Sequence, residues 1–293
     1  MVINMQIQWP LVIFTVLAGA GAWLLVFLCI NEFTGKLRDD KVRFRALVTV
    51  IVLVILGGCA SVLHLSHPDR MMGALSHPTS GIFTEALMVG LVSLASIVFL
   101  VAARRKVSST ALKGIAAVSG VCGLILSYAT GAGYMMDAQL TWDTPLMPLG
   151  YMATAATAGA TLYLIFVSTG NRESPSGTDS AAVGVPPRAK AVRFMSLCTL
   201  VSGVAAAVIA LAYAVSSNTL SIASASPVLA ASVVGALAAA GFGYAAGRCG
   251  RVLPLAVVAL VCALVAMVAF RCFMWLVGVG LFNFFGGDLF ATI

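Results

Sequence analysis

Charge is what this chain has least of. Only 9% of its 293 residues are Asp, Glu, Lys or Arg, where an ordinary soluble domain carries about 25%. That deficit excludes a water-soluble core. Alternating polarity is missing too. A membrane β-strand would be a run of about ten residues of alternating character, and the runs here are longer and apolar throughout, so strands are not expected. Paired cysteines are absent. Cys29, Cys59, Cys122, Cys198, Cys262 and Cys272 fall within apolar runs and Cys249 in an inner loop. No Cys-x-x-Cys occurs, so neither a disulfide framework nor a zinc or iron–sulfur site is expected. Small apolar packing is the ordinary role for such cysteines. No basic leader precedes the first apolar run, which therefore reads as a permanent span and not as a cleavable signal.

What is present is hydrophobic length. The mean hydropathy is +1.05 and 61% of residues are hydrophobic. A span needs about 20 predominantly apolar residues. Eight runs qualify, near Trp9–Ile30, Ala46–Ser66, Gly81–Ala103, Leu112–Tyr134, Met147–Thr169, Val192–Ala214, Pro227–Gly247 and Pro254–Gly278. The expected fold is all-α: a single membrane domain of eight transmembrane helices. Glycines recur within the runs, where they let helix backbones approach closely in lipid.

The basic residues set the orientation. Fifteen of the 17 lie in four patches between alternate pairs of spans. The first patch holds Lys36, Arg38, Lys41, Arg43 and Arg45, and the second Arg104, Arg105, Lys106 and Lys113. The third holds Arg172, Arg188, Lys190 and Arg193, and the fourth Arg248 and Arg251. The positive-inside rule assigns these loops to the cytoplasm. It also accounts for the net charge of +7 without a nucleic-acid partner. The segment before Trp9 has no basic residue, so both termini are expected outside. One inner loop, residues 170–190, is rich in Ser, Gly and Pro and reads as a flexible linker between five spans and three. No inverted repeat relates the two parts.

The two remaining arginines and all three histidines fall toward the other face. Residues 61–85 read SVLHLSHPDRMMGALSHPTSGIFTE. Pro68 should end the second helix near His67, leaving His64 in its last turn. Glu85 lies about one turn into the third helix, so the two can meet across a short connection. Charged residues at a helix centre cost roughly 2.5 to 3.5 kcal/mol on insertion scales. Glu85 is nearer the interface, but a partner or a protonated form is still expected. Arg271 follows Pro254 by a rise of roughly 25 Å, close to the outer boundary of a core about 30 Å thick. The stretch YMMDAQLTWDTPLMP adds Tyr134, Asp137, Trp142 and Asp143.

Plainer roles compete for these residues. His67 and His77 precede prolines in a loop, where a solvated histidine is ordinary. Arg70, His77, Asp137 and Asp143 suit a wet loop or a partner surface. Aromatic belts at the membrane boundary explain Trp9, Trp142 and Trp275 as well as a ligand does. His64 is different, because an imidazole beside a membrane carboxylate can exchange protons near neutral pH. With an arginine to hold an oxygen and apolar walls for a ring and tail, the set suits quinol oxidation.

Several segments together carry a family resemblance. They are Trp9-Pro10-Leu11-Val12-Ile13-Phe14-Thr15, Ser61-x-Leu63-His64-Leu65, Glu85 at the start of the third span, Tyr134 with Trp142 and Pro148, and Arg271 in the last span. The chain resembles the membrane anchor subunit of dimethyl sulfoxide reductase. The resemblance implies a multi-pass subunit of the bacterial cytoplasmic membrane that serves anaerobic respiration. Such an anchor oxidises menaquinol and passes electrons to an iron–sulfur subunit, which feeds a molybdopterin catalytic subunit on the outer face. It implies His64 as the proton-accepting histidine, Glu85 as its acidic partner, and Arg271, Tyr134 and Trp142 as further quinol contacts. Clusters and molybdopterin would belong to the partners alone. The chain departs from the family pattern in the small run Ala18–Ala22 and in Gly131-Ala132-Gly133, where the family often has a polar residue and an arginine.

Three rivals remain. A haem-bearing cytochrome b needs axial histidines facing each other within the bundle, and these histidines lie at one end, so no haem and no metal are expected. A small-molecule transporter would place charges and broken helices at mid-membrane, where this chain has almost none. The anchor of a polysulfide or nitrite-type reductase would share the quinol role with a different partner.

Overall fold

The computed structural model describes residues 7–35, 39–63, 65, 73, 81–170, 186–220 and 222–278. Those residues form eight α-helices and no strand. They are α1 (Trp9–Thr34), α2 (Asp40–Val62), α3 (Gly81–Arg104), α4 (Ser109–Ala132), α5 (Leu146–Thr169), α6 (Pro187–Ser216), α7 (Ser226–Ala246) and α8 (Val252–Leu276). Each is long and apolar enough to cross a membrane. Helices are what lipid demands, since each satisfies its own backbone groups.

Every expected span contains a helix, but several run beyond the apolar stretch at the basic end, and α2 ends at Val62, short of the expected Ser66 and of His64. α2 starts at Asp40 and not at Ala46, and α6 at Pro187 and not at Val192. Local chemistry sets these ends. Asp39 caps α2, its carboxylate accepting from the Lys41 and Val42 amides at 2.8 and 3.1 Å. Pro10 and Pro187 sit in the first turns of α1 and α6, where a missing N–H costs nothing. Gly35 closes α1 in the left-handed conformation, φ 59°, its N–H reaching the Asn31 carbonyl.

Packing groups the helices four and four. α1 to α4 form one closed ring, each helix packed on the next and α4 returning to α1; α5 to α8 form a second ring in the same manner. The helices that flank residues 170–190 in sequence, α5 and α6, both belong to the second ring, so the division into five and three spans does not mark the structural seam. The rings meet where α5 packs on α1 and α4. α1 is the most enclosed helix, and a small residue on α5 lets it come close. A Cβ on Gly159 would lie 2.6 Å from Trp23 Cβ and 2.8 Å from the Leu24 amide nitrogen. Any side chain there would push the two rings apart.

The basic helix ends gather at one end of the molecule. Arg43 of α2 pairs with Glu32 of α1 at 2.6 Å. Arg188 of α6 donates to the Val167 carbonyl at 3.0 Å and to that of Ser168, satisfying the last turn of α5. The ends of α4 and α8 and the starts of α3 and α5 lie at the other end.

Candidate functional site

Arg271 organises that other end. It sits near the close of α8 and is fully buried. Its Nε donates to Thr15 Oγ1 at 2.8 Å, and its Nη2 to the Thr15 carbonyl at 3.2 Å. Its Nη1 donates to the Met267 carbonyl at 2.9 Å and to Thr154 Oγ1 at 3.3 Å. The Tyr151 ring lies 4.3 Å from the guanidinium carbon. No carboxylate pairs with it among the described residues. A buried cation costs several kcal/mol to desolvate. Charge-assisted hydrogen bonds of about 1.5–3 kcal/mol each and an aromatic face offset that here. Thr15 can accept because its own hydroxyl proton goes to the Leu11 carbonyl at 3.0 Å.

The small run in α1 makes room for this arrangement. A Cβ on Gly19 would lie 3.2 Å from Ala155 Cβ and 3.6 Å from Arg271 Nη2. α1 supplies Thr15 as an acceptor and leaves space beside Gly19. Arg271 thereby ties α1, α5 and α8 together across the seam between the rings. It lies away from the basic end, as expected, but is fully enclosed, with four of its five N–H donors bonded to protein groups.

Beside the arginine lies an aromatic cluster. Tyr134, two residues beyond the end of α4, packs on Trp142 at 6.1 Å, on Trp275 at 5.9 Å and on Tyr151 at 5.9 Å between ring centroids. Trp142 and Trp275 meet edge to face at 5.2 Å. Such pairs contribute about 0.5–1.5 kcal/mol each beyond area burial. Trp142 is 3% exposed and Trp275 5%, so neither is a belt residue. The Trp142 indole donates to the Met274 carbonyl at 2.9 Å, a backbone acceptor near the end of α8, and this draws the ring inward. Trp9, exposed at the start of α1, fits a belt.

Glu85 lies within the third helix and is partly buried. Its Oε1 would be 3.7 Å from a Cβ on Gly133, so the carboxyl sits at the end of α4, next to Tyr134. Burial pushes the Tyr134 phenol well above its usual value; Tyr151 and Glu85 add to the rise and Arg271 opposes it. Tyr134 therefore stays a neutral group near both an acid and a cation.

The structure thus gathers Glu85, Tyr134, Trp142 and Arg271 at one end. Asp137 and Asp143 are exposed in the connection between α4 and α5. His64, Arg70 and His77 lie outside the described residues, and so does the approach of His64 to Glu85. Sequence reasoning missed Tyr151 and Thr154, which touch Arg271 from α5, and gave Thr15 no role. No local pattern could have found them, because the arginine they serve lies 117 positions from Thr154 and 256 from Thr15.

Fold and site define a class: a membrane protein whose described residues form eight spanning helices, with a buried arginine, an acid and an aromatic cluster at the end opposite its basic helix ends. The sequence profile of the DMSO reductase anchor subunit (DmsC) matches residues 4–269, and the protein belongs to that family. Curated relatives agree. The C subunit of anaerobic dimethyl sulfoxide reductase from Haemophilus influenzae is 29% identical over 174 residues, 57% of this protein and 61% of that one. The C subunit of the Escherichia coli K12 enzyme is 27% identical over 202 residues, 67% of each sequence. The anaerobic dimethyl sulfoxide reductase subunit YnfH of the same strain is 28% identical over 158 residues, 53% of this protein and 56% of its own length. The aligned stretch covers less than two-thirds of the first of these relatives.

Proposed function

We propose that this chain oxidises menaquinol at the rim formed by Glu85 and Tyr134 and anchors a molybdoenzyme to the bacterial cytoplasmic membrane. Oxidation of one quinol releases two protons and two electrons. His64 and Glu85 accept the protons and pass them to the outer aqueous phase. The electrons leave singly to an iron–sulfur subunit docked on the same face, and from there reach a molybdopterin subunit that reduces the terminal acceptor. The docking surface comprises Asp137 and Asp143, with Arg70 and His77 in the preceding loop. Clusters and molybdopterin belong to the partners, and this chain binds no haem.

One observation carries the reading: a partly buried carboxyl at the start of α3, next to Tyr134, in a member of the anchor family. A carboxyl in such surroundings can exchange a proton with a hydroxyl at the lipid boundary. Tyr134 and Trp142, buried behind the carboxyl, back the rim with an aromatic cluster that suits a quinone ring. Arg271 acts from behind Tyr151 as a fixed positive charge, which favours the electron-rich state of a quinol losing its proton.

The test is His64→Ala in the assembled complex, with menaquinol as donor. Quinol-dependent reduction should vanish while the complex still assembles and still accepts electrons from an artificial donor. Normal quinol turnover in that variant would refute the assignment.

A further inference from the structure

The basic end holds a cavity that topology alone does not explain. It lies between the start of α2 and the end of α3, has a volume of about 360 Å³, and is lined by Lys41, Arg43, Arg45, Arg104 and Lys106 with Asp40. Arg43 is already satisfied by Glu32 and Asp40, each at 2.6 Å. The other four cations make no ion pair among the described residues. The positive-inside rule accounts for basic residues in these loops, and the helix dipole favours a cation at the end of α3. Neither requires cations from two helices to converge on one cavity.

Two features show that the cavity is built. The Arg104 guanidinium carbon lies 4.1 Å from the centroid of the Phe44 ring, which holds the charge in place across the two helices. Lys106 has φ 51°, in the left-handed region. It closes α3 with Lys106 N–H on the Ala103 carbonyl and Val107 N–H on that of Ala102. This turn ordinarily takes glycine, and a residue with a Cβ bears roughly 1–2 kcal/mol of strain there. Strain kept where glycine would relieve it points to a use for the side chain.

The floor of the cavity is apolar, formed by Phe44, Leu47 and Leu100. Beyond it, Val48 and Val52 of α2 and Ile97 and Val101 of α3 are exposed along the helices toward the middle of the bundle. A soluble anion would use the cationic rim and leave this apolar track unused. An amphiphile with an anionic head uses both.

We propose that this cavity binds the phosphate headgroup of an anionic glycerophospholipid, with an acyl chain lying along α2 and α3. Arg104, held over the Phe44 ring, grips the phosphate oxygens, and Lys41, Arg45 and Lys106 surround it. Each cation near an anionic lipid surface contributes about a factor of five in affinity.

The full-length chain, purified in neutral detergent, tests this by native mass spectrometry with phosphatidylglycerol, phosphatidylcholine and inorganic phosphate as separate additions. Phosphatidylglycerol should be retained in preference to phosphatidylcholine, and inorganic phosphate should not displace it. Lys106→Gly relieves the strained turn, so that variant should fold at least as well as the parent, yet hold phosphatidylglycerol about fivefold more weakly. Arg104→Gln should act similarly, and the double variant should lose about 25-fold. Equal retention of the two lipids, displacement by inorganic phosphate, or unchanged retention in the double variant would each overturn the proposal.

Discussion

Two arginines, one at each end of the bundle, are held by opposite means. Arg43 meets two carboxylates, Glu32 and Asp40, each at 2.6 Å. Arg271 is more deeply buried and meets only hydroxyls, carbonyls and an aromatic ring. The first is neutralised and ties α1 to α2. The second keeps an uncompensated charge inside the protein, where the low dielectric extends its reach. The acid of that end, Glu85, makes no ion pair with the arginine, though both act on the Tyr134 phenol. The charge of Arg43 is thus used to fix helices, whereas that of Arg271 is left without a carboxylate partner, an arrangement that suits proton chemistry nearby.

The largest effect should come from the separated acid. Glu85→Gln keeps the shape and removes the titratable proton. Positioned general acid–base groups contribute typically 10²–10⁴-fold, so quinol-dependent turnover should fall at least about 100-fold with assembly unchanged. Arg43→Met should leave turnover per assembled molecule intact. If the two variants lost turnover equally, the ends would not differ in function.

The second test concerns stability and reverses the ranking. Arg43→Met leaves Glu32 partly buried without its cation, at a cost of about 3 kcal/mol. Arg271→Met removes a charge whose partners remain satisfied, because Thr15 still bonds the Leu11 carbonyl at 3.0 Å and Thr154 the Gly150 carbonyl at 2.8 Å. Removing an unpaired buried charge also removes its desolvation cost of several kcal/mol. Unfolding midpoints in detergent should therefore place Arg43→Met below Arg271→Met. The opposite order would mean that the charge at the rim serves the fold first.

A smaller loss separates Arg271 from its supports. Thr15→Val keeps the volume but removes the acceptor for the arginine Nε and leaves a charged donor unmet in the interior. The expected cost is about 2 kcal/mol, read as a lower unfolding midpoint. Combined with Arg271→Met, the same change should cost much less, because no donor is left stranded.

Much of this contrast could be read from the sequence, and the unread part has a physical reason. Hydrophobic length and the spacing of Lys and Arg defined the helices, since lipid leaves few alternatives. Glu85, Tyr134, Trp142 and Arg271 stood out as polar or aromatic groups near one end, and they do cluster. What the spacing could not show was which helices pack together. The linker at residues 170–190 suggested five and three, whereas close packing made the rings four and four. The partners of Arg271 depended on that grouping, because Thr15 and Thr154 reach it only where α1, α5 and α8 meet. A belt role for Trp142 could not be set aside from the sequence for the same reason: its acceptor, the Met274 carbonyl, belongs to a helix 132 positions away.

The smallest effect tests whether Tyr134 is a neutral group near both acid and cation. Burial holds its phenol well above the usual value, with Tyr151 and Glu85 adding to the rise against Arg271. A raised phenol means that the folded chain binds the proton more tightly than the unfolded one. The stability linked to it is fully present below the unfolded value of about 10 and is lost as pH rises through the folded value. Near neutrality both states keep the proton, so the parent and Tyr134→Phe should show parallel stability curves from roughly pH 6 to 8. Above about pH 10 the parent should lose stability relative to the variant. Curves that part near pH 7 would show the phenol ionising in the working range, and Glu85 and Arg271 would then have a titrating group near them and not a neutral one.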